Sequence, residues 1–146
     1  MFKIAYINAI IIGAILSNNV AADCGGGTST SVQVTSTTIP SLSATLSGNT
    51  VCTSDAQEEH QGNGAASSPL WDYKRGNGHP VDPRTQIGTW ELVAGDLVRY
   101  TYGTNIFNFS LFDNQDGTYS FCNGSTVVAE VTQIVPSINV GCGFAQ

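Results

Sequence analysis

Short runs of alternating apolar and polar residues, each closed by turn chemistry, constrain this chain more than any other feature. "LWDYK" sets Leu70, Asp72 and Lys74 against Trp71 and Tyr73. "LVRYTYG" sets Val98, Tyr100 and Tyr102 against Leu97, Arg99 and Thr101, and "NIFNFSLF" puts Phe107, Phe109 and Leu111 on one side. A period of two is that of a half-buried strand, whose successive side chains leave opposite faces. "IGTWELV" and "TVVAEVTQIV" read as further strands, "AGD" as a turn, and "ATLSGNTVC" as a strand broken at Gly48-Asn49. "DNQDG" is a hairpin turn, with Gly117 supplying the positive φ, and "TYSFC" returns from it. Seven or eight strands on short connections predict an all-β antiparallel meander. Such a meander closes into a small barrel of about eight strands, because closure removes exposed edges. A two-sheet β-sandwich is the alternative.

Composition points the same way. Ser, Thr, Gly, Asn and Val abound, whereas helix formers are scarce, with one Met and only Lys3 and Lys74 as lysines. No fixed-period repeat is visible.

The first 22 residues read as a leader. Lys3 gives a positive start, "IAYINAIIIGAIL" is apolar, and Val20 and Ala22 are small residues suited to cleavage after Ala22. The apolar run is shorter than the ~20 residues a bilayer-spanning helix needs. Export to the periplasm or the extracellular space is therefore expected, with no membrane span after cleavage. Residues 23–41, Gly-rich and then Ser/Thr-rich, predict a flexible arm in which "VQVTS" could add an edge strand. The barrel-like domain is expected over 42–146.

Cleavage would leave four basic against eleven acidic residues, a formal charge of −7 in place of −6. Lys or Arg clusters are absent, which argues against nucleic acid. A basic protein would suit such a surface. All four cysteines lie behind the leader, and an even count in an exported chain implies disulfides. Of three pairings, the expected one is Cys52–Cys122 inside the barrel with Cys24–Cys142 as a clasp across the ends. No C-x-x-C spacing suggests a zinc or redox site.

Gly88-Thr89-Trp90 at the head of a strand resembles the calycins, the lipocalin and avidin-like barrels, in which the Trp plugs one end. A longer resemblance, through "LSGNTVC", "LWDYK", "HPVDPRTQIGTW", "YTYG" and "DGTYSFC", is to small exported bacterial proteins. It implies the fold and bacterial export, and brings no catalytic residues.

Candidate chemistry is sparse. His60 follows Glu58 and Glu59 in the polar, Gly-flanked stretch "TSDAQEEHQGNGAASSP", which reads as a solvated loop. His79 and Asp82 flank Pro80 in "RGNGHPVDPR", a proline-braced loop suited to a barrel corner or to placing polar groups. A hydrolase or metal enzyme using His60, His79 and Asp82 is one alternative, and an inhibitor of a basic lytic or proteolytic enzyme another. No G-x-S-x-G elbow, cofactor motif or metal-ligand spacing supports catalysis. The favoured reading is a non-catalytic exported binding protein. The two polar loops would rim one mouth, with Trp71, Tyr73 and Trp90 as the floor and His79 and Asp82 on the lip. Its ligand would be small and apolar or sugar-like.

Overall fold

The structure is a computed structural model and describes residues 24–25, 30–54, 56–74, 84–138 and 141–142. It is an all-β antiparallel meander, nearly closed into a barrel, with ten strands among the described residues where about eight were expected. The elements are β1 (Val32–Val34), α1 (Leu42–Leu46), β2 (Thr50–Cys52), β3 (Ala56–His60), β4 (Ser68–Lys74) and β5 (Thr85–Val93). β6 (Leu97–Tyr102), β7 (Asn105–Asp113), β8 (Tyr119–Asn123), β9 (Thr126–Val131) and β10 (Gln133–Val135) follow. Strands pair in the order β10-β2-β3-β4-β5-β6-β7-β8-β9, and β1 pairs with β7 where β6 has ended. The two ends of this path meet through the chain itself. β9 runs on into β10 at Thr132, whose N–H and hydroxyl both donate to the Cys52 carbonyl, at 2.8 and 3.2 Å.

The alternation read in β4, β6 and β7 sorts side chains as expected. Val51, Leu70, Trp90, Val98, Tyr100, Leu111, Phe121 and Val131 face inward and form the core. Gly88 stands where the backbone of β6 crosses closely. A Cβ there would collide with the Thr101 carbonyl oxygen and approach Tyr102 Cδ1 to 3.2 Å. The glycine of "GTW" thus lets β5 lie tight against β6.

Several expectations need correction. "ATLSGNTVC" is not one interrupted strand but helix α1 followed by β2. The Ser41 hydroxyl accepts from the Ala44 N–H at 3.3 Å as an N-cap, and Leu42 and Leu46, four apart, bury against the barrel end. Gly48, at φ 70°, turns the chain into β2. The polar stretch after Cys52 is not all loop, because residues 56–60 form β3 between β2 and β4. Part of the stretch expected as an arm pairs with the barrel. Its possible edge strand is β1, Val34 is in the core, and the Ser36 N–H donates to Asp96 Oδ1 at 2.7 Å.

The disulfide pairing also differs. Cys24 bonds Cys122, and Cys52 bonds Cys142. Cys52 is paired in register with Gln57, and Cys122 with Ser110, all on the outer face. Two outward side chains on separate strands of a convex sheet cannot reach each other. Their partners must come from segments lying across the outside, and the two chain termini supply them. Gly25 sits against the Phe112 ring on β7. The C-terminal segment lies over β2 and β3, with the Cys142 N–H donating to Gln57 Oε1 at 2.6 Å and the Thr50 hydroxyl to the Ser137 carbonyl at 2.6 Å.

Candidate functional site

Of the expected floor of Trp71, Tyr73 and Trp90, the two tryptophans leave opposite faces of the sheet. Trp90 faces inward and is 1% exposed. Its Nε1 donates to the Gln61 carbonyl at 2.8 Å, and Gly64 closes over its ring. Trp71 leaves the opposite face of β4, in register with Glu59. Tyr73 occupies the register position opposite Gln57. His79 and Asp82 lie outside the described residues.

On that outer face, Arg84 grips Glu59. Its Nε and Nη2 both donate to Glu59 Oε2, at 2.8 and 2.6 Å, and its guanidinium lies 4.6 Å over the Trp71 ring. Glu59 is fully buried although it points away from the barrel interior. This cluster fastens the head of β5 onto β3 and β4.

The inner face carries the groups of chemical interest. β3 presents Glu58 and His60 inward, which the loop reading missed. His60 is not solvated. It is fully buried, with Trp90 edge-on at 5.0 Å and Tyr100 edge-on at 5.6 Å. Its Nδ1 lies 3.2 Å from the Glu58 carbonyl, which can only accept, so Nδ1 carries the proton. Nε2 then accepts from the Tyr100 hydroxyl at 2.7 Å. Burial lowers the His60 pKa from 6.5 to about 4, so the ring is neutral at pH 7. With both nitrogens committed, His60 has none left for a metal or a substrate. No group of three His, Cys, Asp or Glu side chains suited to a metal occurs among the described residues.

Glu58 faces Asp72 directly across the β3–β4 pair, and the Tyr102 hydroxyl donates to Glu58 Oε1 at 3.3 Å. Burial, with the Asp72 charge adding to it, raises the Glu58 pKa from 4.5 to about 7. Burial and the same carboxylate push the Tyr102 hydroxyl well above its ordinary range, so it remains a donor.

Beside these groups runs a continuous aromatic row. Tyr100 and Tyr102 stack at 6.2 Å and 15°, and Phe107 and Phe109 at 6.0 Å and 13°. Tyr102 meets Phe107 at 6.2 Å across the hairpin, Tyr100 meets Phe109 at 6.1 Å, and Phe121 closes edge-on against Tyr100 at 5.7 Å. The row begins in the core, where Tyr100 is 2% exposed, and ends at Phe107, 44% exposed. The alternation of "LVRYTYG" and "NIFNFSLF" had put these rings on one face. The facing carboxylates could have been read only by extending that alternation into "AQEEH".

No family model, curated protein or solved structure matches the chain.

Proposed function

We propose that the protein is an exported, non-catalytic binding module whose inner aromatic row takes a small apolar or sugar-like ligand at the Phe107 end. The observation that carries this reading is the unbroken set of rings from buried Tyr100 to half-exposed Phe107. Flat, rigid ring faces suit an apolar body or the apolar face of a sugar. A few polar groups at their edge, here the Tyr102 hydroxyl and Glu58, suit its orientation. Two disulfides support folding in an oxidising compartment, the periplasm or outside the cell, after cleavage behind Ala22. No helix among the described residues is long and apolar enough to cross a membrane.

The test is a heteronuclear NMR titration of the mature protein with one panel of neutral sugars and one of small apolar molecules. A binder should shift resonances of Tyr102, Phe107 and Phe109, and Phe107→Ala should weaken it at least tenfold. Binding that maps to another face, or that Phe107→Ala leaves unchanged, overturns the reading. A basic protein bound through the outer surface would be one such result.

A further inference from the structure

Strand β7 runs on past the end of β8. It pairs with β6 over Asn105–Phe109 but with β8 only over Ser110–Asp113. On the side away from β6, Asn105–Phe109 therefore has no strand beside it among the described residues. Every second residue of an antiparallel strand turns its N–H and C=O to that side, so a short row of donors and acceptors is open there. The side chains of the stretch are open as well, with Ile106 60% and Phe107 44% exposed. A notch of about 380 Å³ follows the edge, between Ile106, Phe107 and Phe109 on β7 and Asn123 and Gly124 at the β8–β9 turn. Free edges are ordinarily blunted by charge, proline or a bulge. "NIFNF" has no charge and no proline, and its register with β6 is unbroken.

We propose that this edge is a homodimer interface, in which Asn105–Phe109 pairs antiparallel with the same segment of a second copy about a two-fold axis at Phe107. That register sets Asn105 opposite Phe109, Ile106 opposite Asn108 and Phe107 opposite its own counterpart. It keeps Phe107 and Phe109 on one face and Ile106 and Asn108 on the other in both copies, as the pleat requires. The aromatic row from Tyr100 through Tyr102 to Phe107 then continues into the second copy, and cross-strand aromatic pairs are favourable. Charge selects a second copy over a charged partner. The chain is acidic overall, at −6, yet the edge itself is neutral. Arg99, which donates to Asn108 Oδ1 at 3.1 Å, is neutralised by Glu91 at 3.1 Å. A basic or acidic strand would find no counter-charge here, whereas an identical edge brings no charge to oppose it. Five paired residues a side make a small contact, so the dimer is reversible and depends on concentration. The inference does not rest on the ligand reading. A second copy covers Phe107, so copy and ligand exclude each other at that ring.

Sedimentation equilibrium of the mature, disulfide-bonded protein from roughly 10 μM to 1 mM tests the dimer. The average mass should climb from one copy toward two. Ile106→Lys puts a charge on the edge at an exposed position, so it should leave circular dichroism and thermal unfolding unchanged and weaken dimerisation at least tenfold. A second variant reads the register. Phe107→Cys places two thiols directly opposite each other and should oxidise to a covalent dimer, whereas Val128→Cys, also exposed and apolar, should not. A protein that stays monomeric throughout the range overturns the proposal. So does a dimer that Ile106→Lys leaves intact, or one that cross-links through Val128→Cys as readily as through Phe107→Cys, since either places the contact on another face.

Discussion

Replacing Arg84 by Met should destabilise the protein far more than an ordinary surface substitution. Glu59 is fully buried, and both of its contacts to the guanidinium run to one oxygen, Oε2. Breaking a buried pair by removing one partner costs about 3–5 kcal/mol, because the remaining charge is left desolvated. The Arg84 side chain is 28% exposed, so water can reach part of the vacated site, which reduces the expectation to about 2–4 kcal/mol. Loss of stacking on Trp71 is a smaller part, roughly 0.5–1 kcal/mol. The pair is asymmetric, and that gives the sharper test. Glu59→Gln leaves a guanidinium that already touches water, and should cost about 1 kcal/mol less than Arg84→Met. The double variant should recover part of the loss, with a coupling of about 1–3 kcal/mol. Equilibrium urea unfolding at pH 7 with the disulfides intact, followed by tryptophan fluorescence and far-ultraviolet circular dichroism, measures all four corners of the cycle. An Arg84→Met cost below about 1 kcal/mol, or a Glu59→Gln cost that equals or exceeds it, would refute the reasoning. The Arg99–Glu91 pair, at 3.1 Å with both side chains about a third exposed, serves as the contrast and should contribute little.

Two further outcomes follow from the same geometry. His60 has a folded pKa of about 4 against an ordinary 6.5, so its contribution is complete above 6.5 and is lost as pH falls toward 4, a swing of about 3 kcal/mol. Glu58 acts in the opposite sense from 4.5 upward, so wild-type stability should be nearly flat from 4.5 to 6.5, whereas Glu58→Gln should gain stability with rising pH there. Unfolding midpoints taken every half pH unit check this, and a Glu58→Gln profile parallel to wild type would count against it. Replacing Cys52 and Cys142 by Ser should cost about 3–5 kcal/mol and more than replacing Cys24 and Cys122, because it also frees the segment covering β2 and β3. Thermal unfolding of the two double variants ranks them, and the reverse order would contradict this account.

The parts of the fold legible in the sequence were those where one face is apolar and the other wet. β4, β6 and β7 have that character, and their inward residues came out as read. β3 escaped because both of its faces are polar. Glu58 and His60 face an interior polar cluster, while Gln57 and Glu59 lie under the C-terminal segment and Arg84. A strand buried on both sides usually looks apolar throughout, so "AQEEH" carried no periodic signal. α1 escaped for another reason, since five residues are too few to display a helical period. Trp71 and Trp90 looked like one floor because both are large and flank one loop. Register shows instead that Trp71 pairs outward with Glu59 while Trp90 pairs inward with Tyr100.

The disulfides explain how polar strands can sit at the ends of this sheet. A nearly closed barrel has its weakest point where the path ends, here between β9 and the β10–β2 pair. Chain continuity through Thr132 spans that seam, but β10 is only three residues long. The covalent links fall on either side of it, with Cys52 on β2 and Cys122 on β8. Each draws one terminal segment over the outer face beside the seam, at sequence separations of 98 and 90. In the chain-entropy picture, loops of that length confine the unfolded chain by about 4–5 kcal/mol each, an upper bound. The folded state gains cover for Cys52 and Gln57, which would otherwise face water. Placing this reinforcement on the outside leaves the interior free for the aromatic row and the Glu58–Asp72 pair. Neither is a good core element by itself, and both require a barrel held together by other means.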